Sequence, residues 1–204
     1  MILFITPQNK EAYQDVLKKT YEIRKKVFVD KLKWDLKCQG AYEIDQFDHE
    51  RAHYLIYVDV HEEVKGCMRL MPTTESNLTQ DIFGEYVPKH LRTKNCKVWE
   101  ASRFCIAPEN STAKATQEGT YEIYTAMEEF AVINGIEKIL FVASKPVERL
   151  MNQIGRSYVR VSEYFSTGDS MAFIGTFNSN EAQICSLIYN GNLNPFYHLN
   201  SLII

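Results

Sequence analysis

WEASRF, residues 99–104, sets an acid and a base inside a strand-like run that extends from Lys97 to Ile106. Strict alternation along that strand places Glu100, Ser102 and Phe104 on one face and Ala101, Arg103 and Cys105 on the other. A bulge would mix the two faces, so alternation by itself excludes neither Glu100 nor Arg103 from a common site. GCMRLMPT, residues 66–73, closes an earlier strand, Val64 to Pro72, and sets Arg69 between Met68 and Leu70. Arg69 then points away from its apolar neighbours, and a buried arginine needs carboxylate partners. Asp45, Asp48 and Glu100 are the candidates.

Upstream, YEIRKKVFVDKLKWDL (residues 21–36) ends a helical pattern that begins near Asn9 and runs to about Val29. Val16, Leu17, Tyr21, Ile23, Arg24 and Phe28 fall near one face, and most of the lysines fall outside it. Arg24 and Phe28 are one turn apart and share a face, although a surface Arg beside a core Phe reads the same way. Residues 30–51 are polar and poorly periodic, long for an idle loop, and such loops tend to be functional. Trp34 lies in it, where an unburied indole wastes apolar surface. EIDQFDHERAHYL (residues 43–55) follows, with Asp45 and Asp48 spaced to face one cavity from a turn; a solvated acidic loop is the plain alternative. Arg24, Arg69, Arg103, Asp45, Asp48, Glu100, Phe28 and Trp34 gathered at one site would suit a ligand both zwitterionic and cationic. An amino acid carrying a sulfonium is such a ligand, since Arg takes its carboxylate, Asp its ammonium and an indole face its sulfonium.

The remaining pattern alternates strands with helices: a first strand at Ile2–Ile5, a strand at 52–60, and a helix from Thr112 to Asn134 ended by Gly135. A buried strand then contains KILFVA, a helix runs from Val147 to Gly155, and strands close the chain at 158–161 and 171–177. The order argues for an α/β layer fold with a mixed sheet. Residues 1–177 read as a single domain and residues 178–204 as a C-terminal extension, able either to pack back or to hang free. With 204 residues, 45% apolar content and a net charge of -3, the chain has enough for one core and no general pull toward nucleic acid or an anionic membrane. Five scattered cysteines without a CxxC pair, and no secretory or spanning segment, point to a reduced, cytoplasmic protein.

Taken in order, the four quoted stretches resemble the acyl-homoserine-lactone synthases, the bacterial autoinducer synthases of quorum sensing, from about Tyr21 to Gly155. The resemblance implies a three-layer α-β-α N-acyltransferase fold, which usually carries a bulge near WEASRF. It implies transfer of an acyl chain from acyl carrier protein to the amine of S-adenosylmethionine, then lactone closure with release of methylthioadenosine. Glu100, Arg103 and Arg69 take the catalytic positions, with Glu100 as the base. Arg24, Phe28, Trp34, Asp45, Asp48 and Phe104 take those that bind S-adenosylmethionine, and Trp34 walls the sulfonium. Leu78, Tyr124, Met127, Phe141, Val147 and Leu150 line the acyl pocket, each equally explicable as core. Synthases favouring 3-oxo chains often have Thr near the position of Phe141, so an unsubstituted chain is expected. No cofactor or metal is implied, and a separate transcription regulator reads the product.

The Gly-rich phosphate loop of coenzyme A-dependent acetyltransferases is missing from the sequence, which favours a carrier protein as donor. Carrier proteins are acidic, and Lys138, Lys145, Arg149, Arg156 and Arg160 form the candidate docking set, each also readable as a solvated cation. His49-Glu50-Arg51-Ala52-His53 spells HExxH, but it runs into YLIYVDV, a strand, where two His four apart do not meet. The rival readings are an acyl-coenzyme A-dependent N-acyltransferase of the same fold acting on another amine, and a degenerate binding domain. The buried charges argue against the second.

Overall fold

The computed structural model describes residues 1–107, 112–168 and 170–193. Strand β1 (Ile2–Ile5) leads through a short 3-10 turn into helix α1 (Gln14–Arg24). The hairpin β2 (Cys38–Gln39) and β3 (Tyr42–Glu43), turning at Gly40 with φ 62°, gives residues 30–51 the only strand pairing described there. Next come β4 (His53–Val58), β5 (Val64–Pro72), the one-turn helix α2 (Leu78–Asp81) and β6 (Val98–Ile106). Helix α3 (Ala113–Ile133), β7 (Lys138–Ser144), α4 (Lys145–Gln153), β8 (Val159–Arg160), β9 (Phe165–Ser166), β10 (Met171–Phe177) and α5 (Glu181–Gly191) complete the order.

Among the described residues an eight-stranded sheet runs β1-β4-β5-β6-β7-β10-β8, with β9 on β10. Its neighbours are antiparallel except for β6 and β7, which are parallel. The parallel pairing covers Val98 to Ala101 against Lys138 to Phe141, so the second half of β6 is not paired with β7. The two strands therefore part beyond Ala101, in the middle of the sheet.

Helices cover both faces. On one, Ile123, Met127, Phe130 and Ala131 of α3 pack without exposed surface against Leu55, Leu70, Trp99 and Ile139, and Met151 of α4 and Leu187 of α5 join them. Helix α3 starts where the Thr112 hydroxyl accepts the Ala115 N–H at 3.1 Å and stops where Gly135 takes φ 63°. These are the N-cap and C-terminal roles that Thr and Gly fill best. On the other face, Leu17 and Ile23 of α1 pack on Ile5, Ile56 and Met71. A third cluster, Val87, Leu91, Val98, Leu140 and Ile174, continues that face toward β10. The architecture is the expected α-β-α sandwich with a mixed sheet.

The sequence pattern and the structure differ at two places, and at a third, the segment after Phe177, the structure takes one of the two arrangements that the sequence leaves open. The helix expected to reach Val29 is α-helical only to Arg24 and continues as a π-helical segment, Lys25–Lys31. Residues 30–51, aperiodic in sequence, contain a hairpin too short to leave a period. Residues 181–191 form α5, which packs on α3 through Leu187; residues 194–204 lie outside the described residues.

Candidate active site

Three arginines from three elements converge on one set of carboxylates. Arg24, at the end of α1, donates from Nε to Glu43 at 2.6 Å and from both terminal nitrogens to the two Asp48 oxygens at 2.8 Å. Arg69, on β5, forks onto Asp45 at 2.6 and 3.1 Å, reaches Asp48 Oδ1 at 2.9 Å and donates from Nε to the Ser102 hydroxyl at 3.2 Å. Arg103, on β6, meets Glu43 at 3.2 Å and Asp45 at 2.6 Å. Such bidentate, charge-assisted pairs are the strong ones. Their charges sum to zero, and the network can therefore be buried without a net ion.

Burial is graded across it. Arg24, Arg69, Glu43 and Asp48 have side chains at most 1% exposed, whereas Arg103 is 7% and Asp45 18% exposed. The network is closed at Arg24 and open at the Asp45–Arg103 edge. Asp48 also accepts the Tyr54 hydroxyl at 2.9 Å and the Asp45 N–H at 2.9 Å. Burial works against its ionisation, but the Arg24 hydrogen bonds and the Arg69 and Arg24 charges outweigh it. They hold the Asp48 carboxyl well below the usual carboxylate range. The open edge has an aromatic wall: Trp34 stacks on Phe28 with centroids 5.0 Å apart and planes 10° off parallel, and Arg103 lies over the Phe28 ring at 5.8 Å. Lys33, at φ 60°, turns the chain immediately before Trp34, and the Trp34 N–H closes onto the Phe28 carbonyl at 2.9 Å.

Arg103 reaches this network because β6 is bulged. Cys67 pairs with Cys105 and Arg69 with Ser102, so β6 holds one residue more than β5 across that interval. The surplus is taken up at Arg103, which sits at φ 53°, a left-handed conformation that costs a non-glycine residue about 1–2 kcal/mol. Ser102 and Arg103 then both face α1, while Phe104 turns to the α3 side and meets Tyr124 edge-on at 5.1 Å. Phe104 is thus not among the residues gathered around Arg103. Glu100 is on the α1 face but not in the network. It pairs with Met71, two residues along from the Arg69–Ser102 pair, and accepts the backbone N–H of Thr79 at the start of α2.

On the α3 face, beside the parted strands, the packing is aromatic. Phe141 stacks on Phe177 with centroids 4.2 Å apart, and Tyr124 and Phe173 meet these rings edge-on. Gly175 makes room: a Cβ there would lie 2.3 Å from the Phe141 ring. Tyr124, Met127, Phe141 and Val147 belong to this cluster, whereas Leu78 and Leu150 are half-buried and stand outside it.

The expected docking set divides. Lys145 and Arg149 are exposed on α4, and Arg160 is exposed but held by Glu148 at 2.5 Å. Arg156 departs from expectation: it is 2% exposed, pairs with buried Glu128 and lies over the Phe177 ring at 4.2 Å, so it cannot meet a partner. Counting cations in sequence missed this because the partner is 28 residues away on α3. Sequence reading also missed Glu43, Tyr54 and Phe47, the last under Arg69 at 5.6 Å. Glu43 and Asp45 are two apart, the spacing that puts both on one side of an extended chain, and that signal was available. His53 lies in β4, stacked on Phe4 and edge-on to Trp99, while His49 accepts the Arg51 N–H.

A model of the autoinducer synthases matches residues 8–187 of the chain. The chain belongs to the autoinducer synthase family. This member is 29% identical over 174 residues to an acyl-homoserine-lactone synthase of Aliivibrio fischeri, spanning 84% of the chain and 88% of that relative. It is 31% identical over 145 residues to the synthase of Aliivibrio fischeri strain ES114, spanning 71% and 73%. A solved CoA-dependent acyl-homoserine lactone synthase, with SAM and isopentyl-CoA, shares the fold at a TM-score of 0.83 and 20% identity, over 95% of this chain and 90% of that one. The autoinducer synthase described here is therefore an acyltransferase with an N-acyltransferase-like fold. Among its described residues no helix is long and apolar enough to cross a membrane.

Proposed function

We propose that this autoinducer synthase acylates the α-amine of S-adenosylmethionine and closes the product to an acyl-homoserine lactone, releasing methylthioadenosine. The observation that carries the reading is the neutral network of three arginines and three carboxylates, open only at Asp45 and Arg103 beside the Phe28–Trp34 stack. Arg24, Arg69, Glu43 and Asp48 hold that edge in place. Arg103 takes the substrate carboxylate, Asp45 the ammonium, and Trp34 the sulfonium. An α-amine has an ordinary pKa near 8, roughly, so part of it is neutral at pH 7. Glu100 takes the remaining proton, through water, as nitrogen attacks the thioester. Backbone N–H groups of the bulged Glu100–Phe104 strand face the oxyanion. Lactone closure is intramolecular: the carboxylate attacks the carbon bearing sulfur, and the sulfonium leaves as a neutral thioether.

The acyl chain enters where β6 and β7 part, against Tyr124, Met127, Phe141 and Val147, and Phe141 favours an unsubstituted chain. Acyl carrier protein is the proposed donor, docking on Lys145, Arg149 and Arg160. Acyl-coenzyme A is the second reading, favoured by the CoA-dependent synthase of the same fold. The reaction needs no cofactor beyond the two substrates, takes place in the cytoplasm, and makes a signal that a separate transcription regulator reads. Mass spectrometry of the purified protein incubated with S-adenosylmethionine and a panel of acyl-carrier and acyl-coenzyme A thioesters tests all of this. A lactone formed with methylthioadenosine supports the reading, and its mass gives the chain. Acylation of other amines without methylthioadenosine would overturn it.

A further inference from the structure

Glu100 and Thr79 are both without exposed surface. Glu100 Oε2 accepts the Thr79 backbone N–H, so the residues are in direct contact. Among the described residues, neither the other carboxylate oxygen, Oε1, nor the Thr79 hydroxyl has a hydrogen-bond partner. Roughly nine in ten buried polar groups are paired, with protein or with ordered water, so two unpaired atoms flanking one hydrogen bond mark a site. A buried water makes about three hydrogen bonds to such groups, and one here can accept from Thr79 Oγ1 and donate to Glu100 Oε1. The site also lies close to the chemistry. Met71 faces Glu100 and Arg69 faces Ser102 across the β5–β6 ladder, so Glu100 and Arg69 are diagonal neighbours on one sheet face, about 7–8 Å apart along the backbone. The network thus ends two residue pairs from Glu100, on the same face of the sheet.

We infer that Thr79 is a positioning residue for Glu100. Its N–H fixes one carboxylate oxygen, and its hydroxyl holds a water against the other, along which the substrate proton leaves. The inference rests on the proposed reaction with Glu100 as base. In that step the nitrogen–carbon bond forms, the thioester carbon–sulfur bond breaks, and the amine proton passes through the water to Glu100 Oε1. The thiolate leaves and recovers a proton from Glu100 by the same route, which returns the carboxylate to its starting state. Thr79 is never the acceptor, which separates its role from that of Glu100.

The test compares Thr79→Val, which keeps the shape and loses the hydroxyl, with Thr79→Ser, which keeps the hydroxyl. Initial rates are measured with S-adenosylmethionine and the best acyl thioester, and melting temperatures are recorded for each protein. Thr79→Val is expected to lower kcat about tenfold, equal to about 1.4 kcal/mol of barrier, with KM for S-adenosylmethionine within about twofold of wild type. Thr79→Ser is expected to recover most of kcat. An unchanged kcat in Thr79→Val, or a loss that serine does not restore, overturns the inference. If the valine protein does not fold, Thr79→Ala against Thr79→Ser gives the same comparison. A wild-type protein that makes no lactone overturns the proposed function itself, whereas lactone made equally well by wild type and Thr79→Val overturns only the role of Thr79.

Discussion

Replacing Asp48 by Asn tests the buried network most directly. The side chain keeps its size and loses its charge, leaving three arginines opposite two carboxylates in a region at most 1% exposed at Arg24 and Arg69. Four of the five hydrogen bonds and ion contacts to Asp48 come from charged guanidinium groups or the Tyr54 hydroxyl. One amide oxygen can accept at most part of them, and the amide NH2 would point a donor at a cation. Removing one partner of a buried pair costs about 3–5 kcal/mol, because the charge left behind stays buried. For a chain of this size each kcal/mol lowers Tm by about 2–4 °C, giving an expected fall of roughly 6–20 °C. Differential scanning calorimetry at pH 7 reads it. The same measurement in the double variant Arg24→Met, Asp48→Asn should recover part of the loss, since it removes the stranded charge. A fall of less than about 2 °C in Asp48→Asn would refute the claim that the network is a charge-balanced, desolvated unit. The sign with pH follows from the depressed Asp48 carboxyl. Its contribution is fully present above the ordinary Asp value and is lost as pH falls below that toward the folded value.

Three further outcomes are expected. Trp34→Ala should raise KM for S-adenosylmethionine up to about 30-fold with little change in kcat, from a cation–π term of about 0.5–2 kcal/mol; isothermal titration checks it. Burial pushes His53 down to about 4, although the Arg51 carbonyl favours its proton. The unfolded chain therefore binds a proton between about pH 6.5 and 4 that the folded one refuses, and stability should fall across that window by up to about 3 kcal/mol; His53→Phe, read by urea unfolding at pH 5 and 7, should flatten the dependence. Charge reversal at Lys145 and Arg149 should raise KM for an acyl-carrier donor far more than for S-adenosylmethionine; equal effects on both would remove α4 from the docking surface.

The sequence determined the parts that depend on local order. The period of α3, with Thr112 and Gly135 at its ends, and the boundaries of β1, β5 and β10 follow from patterns a few residues long. Arg69 stands out in the same way, because a charge inside an apolar run is costly and therefore conspicuous, whereas Arg24, Arg103, Asp45 and Asp48 are singled out by the resemblance to the autoinducer synthases. Which arginine meets which carboxylate was decided only by the tertiary structure. The bulge at Arg103 is set by the register of β5 against β6, a property of two strands that neither strand carries alone. It brings Arg103 to Glu43 and sends Phe104 to the other face, against the alternation of β6 read by itself. Arg156 shows the same limit from the other side: a basic residue in a basic stretch is buried because α3 supplies Glu128. Burial and ion pairing depend on what the rest of the chain brings within a few ångströms, and short sequence patterns do not contain that.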